Sequence, residues 1–259
     1  VGSGETITIG ETLSAGHFKG NFTLSNVGDM RVLYGSSVAP SDKPRQRVWQ
    51  ENSDSWSPAE SIISIGEVIN FSEHAISSTN VNEEMAAIVY KTSSGISGNI
   101  LRWNGSSWSA EATWDNTYTS QYLHKGISVK YERLSGNCMV VYAENNNNPK
   151  YQYWDGSSWT SGSVFSSAPG TAVRYTEMAS KPGSNEITLV IYDSSNDIHA
   201  IVWDGTQWDE TNTEITLETD GRTVNNRCFD LEYESITGDL LVAWGKGSPD
   251  GIHFKTRLA

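Results

Sequence analysis

The chain has 259 residues, 37% of them apolar and 19% charged, with 18 basic against 31 acidic side chains and a formal charge of -13. Such a composition belongs to a folded chain rich in turns and rings, and its sign opposes nucleic-acid backbones and anionic membrane surfaces. Its longest apolar runs are strand-sized, far below the roughly 18 residues that a spanning helix needs, so neither nucleic acid nor membrane insertion is expected.

Taken in chain order, the elements repeat. ITIGETL at residues 7–13 reads as a strand, the turn NVGD leads into RVLY ending at Tyr34, and VWQENSDSW follows at 48–56. ISIGEVI at 63–69 then repeats the opening words, the turn NVNEE leads into AIVY ending at Tyr90, and RWNGSSWS stands at 102–109. A third unit runs ISVKYE, SGN, MVVY ending at Tyr142, and YWDGSSWT at 153–160; a fourth runs PGSNE, LVIY ending at Tyr192, and VWDGTQWD at 202–209. The fifth has FDLEYE, TGD and LVAW ending at Trp244, and stops at GIHFKTRLA without its tryptophan turn.

The aromatic-ended runs are 56, 52, 50 and 52 residues apart, and eight of the ten tryptophans belong to four copies of one device. Four antiparallel strands per period of about 50 residues mark a propeller blade, and no stretch keeps apolar residues at helical spacing over three turns. The expected fold is therefore all-β: a single five-bladed β-propeller domain over residues 1–259, its ring closed by strands from both termini, with residues 6–13 completing the last blade.

Asp or Asn before Gly supplies the positive φ of a tight hairpin, and the first tryptophan of each pair is expected to fill the wedge between neighbouring blades. The second, at Trp56, Trp108, Trp159 and Trp208, lies just past a surface turn, where it either packs or stacks on a ligand such as a sugar.

A β-branched run ending in Tyr, a short loop and then WDGxxW resembles the repeat of the fucose-binding propeller lectins of fungi and soil bacteria. The resemblance implies a non-catalytic, carbohydrate-binding protein. In that family an Arg on the aromatic-ended strand and a Glu three residues before the first Trp grip the sugar, and a Trp of a neighbouring repeat stacks on it. Only Arg31 matches the Arg, while the Glu positions hold Gln46, Ile100, Tyr151 and Ala200.

A second recurrence places His17, His74, His124, Arg174 and Arg227 at the entrance to each unit's first strand, with Lys125 an alternative to His124. Facing a central channel they would form an anion-binding ring at its mouth. Three histidines in a five-fold ring suit tetrahedral zinc poorly, so no metal and no cofactor is expected. Glu73, Glu177 and Asp230 are the acids nearby, without an evident partner as a glycosidase pair. Cys138 and Cys228 read as buried small hydrophobes, or else as a single bridge.

The expected partner is a glycan or cell-surface glycoconjugate, with a protein-interaction head of a surface protein or filament as the alternative and a glycosidase as the weakest reading. Dominance of Ser, Thr, Asn and Gly, and the absence of an initial Met, point to an extracellular or cell-surface location.

Overall fold

A computed structural model describes residues 22–24, 30–35, 44–58, 60–63, 65, 69–80, 82–91, 95–116, 124–144, 147–167, 169–212, 216–222, 227–247 and 251–258. Five antiparallel sheets follow one another along them. The first holds β1 (Phe22–Leu24), β2 (Met30–Tyr34), β3 (Arg45–Gln50), β4 (Ser55–Trp56) and β5 (Glu60–Ser61). The second holds β6 (Ile69–Ile76), β7 (Glu84–Lys91), β8 (Ile96–Trp103) and β9 (Trp108–Asn116). In the third are β10 (Ile127–Tyr131), β11 (Cys138–Tyr142), β12 (Lys150–Trp154) and β13 (Trp159–Ser163). The fourth contains β14 (Val173–Ser180), β15 (Ile187–Asp193), β16 (Ile198–Trp203), β17 (Trp208–Asp209) and β18 (Thr216–Glu218). The fifth has three strands, β19 (Phe229–Tyr233), β20 (Leu240–Lys246) and β21 (Gly251–Arg257). Among the described residues the single helical turn is the 3-10 segment Glu51–Ser53, so no helix is long and apolar enough to cross a membrane.

The repeated tryptophan turns have one geometry. Gly105, Gly156 and Gly205 sit at φ of 95°, 93° and 99°, where a Cβ would be strained. Asp155 Oδ1 accepts the N–H groups of Ser157 and Ser158, as Asn104 does from Ser106 and Ser107 and Asp204 from Thr206 and Gln207. These N–H groups hold the exposed Asp155 carboxyl below its usual range. Such a turn sets the flanking tryptophans directly opposite across the hairpin, Trp103 to Trp108, Trp154 to Trp159 and Trp203 to Trp208, with ring centroids 5.8, 5.3 and 5.7 Å apart. The looser first device reaches the same pairing, Trp49 to Trp56 at 5.6 Å, through the 3-10 turn and Asp54 at φ 51°.

The aromatic-ended runs of the second, third and fourth sheets are buried on both faces because each of these sheets lies between two others. On β11, Cys138, Val140 and Tyr142 meet the second sheet while Met139 and Val141 meet the fourth. On β15, Ile187, Leu189 and Ile191 face the third sheet, and Val190 and Tyr192 face the fifth. Each such side chain contributes about 1.5–3 kcal/mol relative to exposure, which is why the runs read as continuously apolar. Cys138 is buried in this core, Cys228 is half-buried, and both are free thiols.

Among the described residues the succession is not closed from the fifth sheet back to the first. β21 forms an edge whose Ile252 and Phe254 are 84% and 69% exposed. The segment 6–13 expected to cover it lies outside the described residues.

Candidate functional site

The register decides which side chains meet between sheets. Alternate residues of each middle strand face the preceding sheet, and the tryptophan pairs lie opposite those positions. Each pair from the second to the fourth sheet therefore enters the junction with the sheet before it. Trp154 and Trp203 are buried there, while Trp56, Trp108, Trp159 and Trp208 are all half-buried.

Between the first and second sheets, the Arg31 guanidinium lies 4.1 Å over the Trp103 ring and 5.9 Å from that of Trp108. Its Nη1 donates to Gln46 Oε1 at 2.6 Å, and its Nε to Glu84 at 3.1 Å. Trp108 Nε1 donates to the same Gln46 oxygen at 2.9 Å, and Gln46 Nε2 donates to Glu60 at 3.0 Å. Burial pushes the Glu84 carboxyl up, but its partners His74 and Arg31 outweigh burial and hold it below the usual range. The Arg position, the Gln at the Glu position and the tryptophans of the next repeat thus converge in one place.

The next junction builds a related set from other positions. Arg102 lies 4.7 Å from the Trp154 ring and donates Nε to Glu111 Oε1 at 3.2 Å, while Trp159 Nε1 reaches Glu111 Oε2 at 3.4 Å. Glu111 is the unpaired residue of a β-bulge opposite Ile100 and Leu101, two positions after Ser109, which pairs with Arg102. Ser109, Trp159 and Arg102 outweigh burial there and hold that carboxyl low. Sequence reasoning missed this pair, because neither Arg102 nor Glu111 stands at a position of the gripping pair that the resemblance implies.

Between the third and fourth sheets, Trp203 Nε1 donates to Glu132 Oε1 at 2.7 Å and Tyr153 lies 5.2 Å from the Trp203 ring. Burial raises the Glu132 carboxyl despite Ser135, Trp203 and Tyr153. The buried Trp208 Nε1 has no hydrogen-bond partner among the described residues. At the last junction Arg257 occupies the first-tryptophan position, opposite Leu240, and binds Glu186 at 2.7 Å. Without indole rings the wedge leaves a cavity of about 260 Å³ lined by Thr188, Ala200, Val202, Val242 and Arg257.

Of the expected anion ring, His74 and His124 are each engaged by a neighbouring side chain. His17 lies outside the described residues. His74 is buried within the first junction, 2.6 Å from Glu84 and with its ring 5.6 Å from Trp108, because its register faces the neighbouring sheet. His124 bonds the Tyr175 hydroxyl at 3.0 Å, and burial plus the Arg174 charge pushes its pKa down to about 4. Arg174 occupies the bulge between Val173 and Tyr175.

What recurs near the first strands is an alternating ion chain: Glu73 of the second sheet, Lys125 before β10, Glu177 of the fourth and Arg227 before β19, which also reaches Asp230. The cations of this chain are neutralised, so they offer no anion trap. Glu73 and Glu177 both terminate on Lys125 Nζ, so they do not present the free opposed carboxylates of a glycosidase.

A succession of antiparallel sheets packed face to face is the architecture of a β-propeller. Fucose-specific lectin from Aleuria aurantia superposes with a TM-score of 0.56 at 16% identity, over 89% of this chain and 70% of that one. BP39L lectin from Burkholderia pseudomallei gives 0.63 at 11% identity, over 91% and 65%. SapL1 lectin, solved with alpha methyl fucoside, gives 0.51 at 16%, over 95% and 82%. The Aleuria lectin is described as six-bladed, whereas five sheets are described here. No family model matches the chain, and no curated protein matches it in sequence.

Proposed function

We propose that the protein is a non-catalytic carbohydrate-binding propeller displayed outside the cell, and that it takes a monosaccharide unit against the half-buried tryptophans of its sheet junctions. The observation that carries this reading is the meeting of Arg31, Gln46, Trp103 and Trp108 at the first junction. An indole face offers a sugar's apolar C–H surface a platform, while guanidinium and amide groups bind its hydroxyls. With Gln46 in place of a carboxylate, the acceptor half of the grip is neutral and weaker than a charge-assisted one, while Arg31 keeps the charged donor half. The solved lectins with fucosides bound make α-L-fucosides the first ligands to try.

The same proposal includes a closed five-bladed ring, with residues 6–13 as the fourth strand of the last sheet. Its support is the exposed β21 edge together with the repeated words ITIGETL and ISIGEVI. In the second copy Ile63 and Ile65 pack against the core of the first junction, around Leu33 and Ile69.

A glycan array followed by calorimetry tests the function. Binding should be weakened about tenfold or more by Trp108→Ala and Arg31→Ala in chains that still fold, since each supplies an interaction worth more than about 1.4 kcal/mol. An array with no bound glycan, or variants that bind as well as the parent, would overturn the proposal.

A further inference from the structure

At the end of the fourth sheet opposite the tryptophan turn, the β15–β16 hairpin brings together Asp193 at the end of β15, Asp197 in the loop and His199 on β16, whose potential ligand atoms all lie within 4.8 Å of one another. Much of this loop is explained by Asp193 alone. Its Oδ1 accepts the N–H groups of Ser195 and Asp197 at 2.9 and 3.0 Å, and its Oδ2 accepts that of Thr171 at 2.9 Å. These bonds organise the turn but leave Oδ2 one lone-pair direction, and there stands His199 Nε2 at 3.7 Å, beyond hydrogen-bond range.

The His199 side chain is only 2% exposed, and its Nε2 has no hydrogen-bond partner among the described residues. Its other nitrogen, Nδ1, is engaged by Thr216 Oγ1 at 3.2 Å. An imidazole fixed through one nitrogen by an oxygen partner, with the other facing carboxylates, is the arrangement that metal-bound histidines adopt. The space between the groups is kept open by Gly170: a Cβ there would fall 2.1 Å from Asp193 Oδ2 and 3.2 Å from His199 Nε2. The sequence thus places its smallest residue where an atom would lie at coordination distance from the carboxylate.

We propose that Asp193, Asp197 and His199 bind one divalent transition-metal ion of the zinc type. Mixed imidazole and carboxylate donors suit zinc and its neighbours, whereas calcium takes oxygen ligands and gains nothing from the histidine. Three protein ligands would leave a position for water. The half-buried Asp197 gives the ion its way in. Bound there, it would tie the connection entering the fourth sheet at Thr171 to the β15–β16 loop, at the end of the sheet away from the tryptophan pair, so it is independent of sugar binding.

The test is titration of the whole chain, stripped with chelator and dialysed, with ZnCl2, CoCl2 and CaCl2. Calorimetry should show one zinc per chain, cobalt should develop d–d absorption with the same stoichiometry, and calcium should not compete. Asp197→Asn removes a carboxylate charge that burial and Asp193 disfavour and that makes no hydrogen bond among the described residues, so it should not lower the apo melting midpoint while weakening zinc about tenfold or more, and Gly170→Ala should block uptake. No saturable zinc uptake below about 1 mM, unchanged uptake in Asp197→Asn, or calcium uptake that His199→Gln leaves intact would each overturn the proposal.

Discussion

Lys125→Met removes the cation on which Glu73 and Glu177 converge. The three side chains are 9%, 5% and 12% exposed, and Met keeps most of the apolar stem, so the perturbation is chiefly the loss of charge. Leaving a buried carboxylate unpaired costs about 3–5 kcal/mol. Glu177 retains Arg227, which puts the loss on Glu73 and the expected value near the lower end, about 3 kcal/mol. For a chain of this size that lowers the melting midpoint by about 6–12 °C.

The pH dependence has a definite sign. Burial already raises the Glu73 carboxyl above its usual value despite Lys125, and without the lysine it rises further. A carboxyl with a raised folded-state pKa destabilises most above that pKa, and the penalty fades as pH falls toward the unfolded value. The deficit of Lys125→Met relative to the parent should therefore be larger at pH 7 than at pH 5, and adding Glu73→Gln should recover much of it. In the parent, the attraction of Glu73 and Glu177 outweighs burial and raises the Lys125 ammonium, so its contribution is full below the ordinary lysine range and is lost at higher pH. Urea melts at both pH values measure these differences. A cost below about 1 kcal/mol at pH 7, or one that grows on acidification, would refute the reasoning.

Trp154→Ala, which deletes a buried ring of the core between the second and third sheets, should cost about 3–5 kcal/mol in denaturant melts, well above the half-buried Trp159→Ala. Deleting residues 1–13 should leave β21 uncovered and produce aggregation detectable by light scattering; a monomer with the parent's melting midpoint would count against ring closure. With its pKa near 4, His124 should stay neutral as pH falls through 6.5, and it should cost the fold stability between there and about 4, where the unfolded chain binds the proton first. Titration of its ring resonances by NMR with a midpoint near 6.5 would contradict the burial assigned to it.

The strands, the turns and the pairing of the tryptophans were legible in the sequence because each depends on residues within one hairpin: Gly at positive φ, Asp or Asn folding onto the next N–H groups, β-branched runs between. The likeness to propeller lectins was legible for the same reason, since the period repeats these local words. Local patterning could not say what faces what across strands or across a junction. His74 was read as a channel-mouth cation and stands against Glu84 and Trp108, Lys125 rather than His124 joins the ion chain, and Glu111 reaches Arg102 from a bulge. His74 meets Glu84, and Glu111 meets Arg102, across neighbouring strands of one sheet, where strand register sets the pairing. Lys125 meets Glu73 and Glu177 from about 50 positions away, and the packing of one sheet on the next is what brings those charges within the few ångströms over which they act.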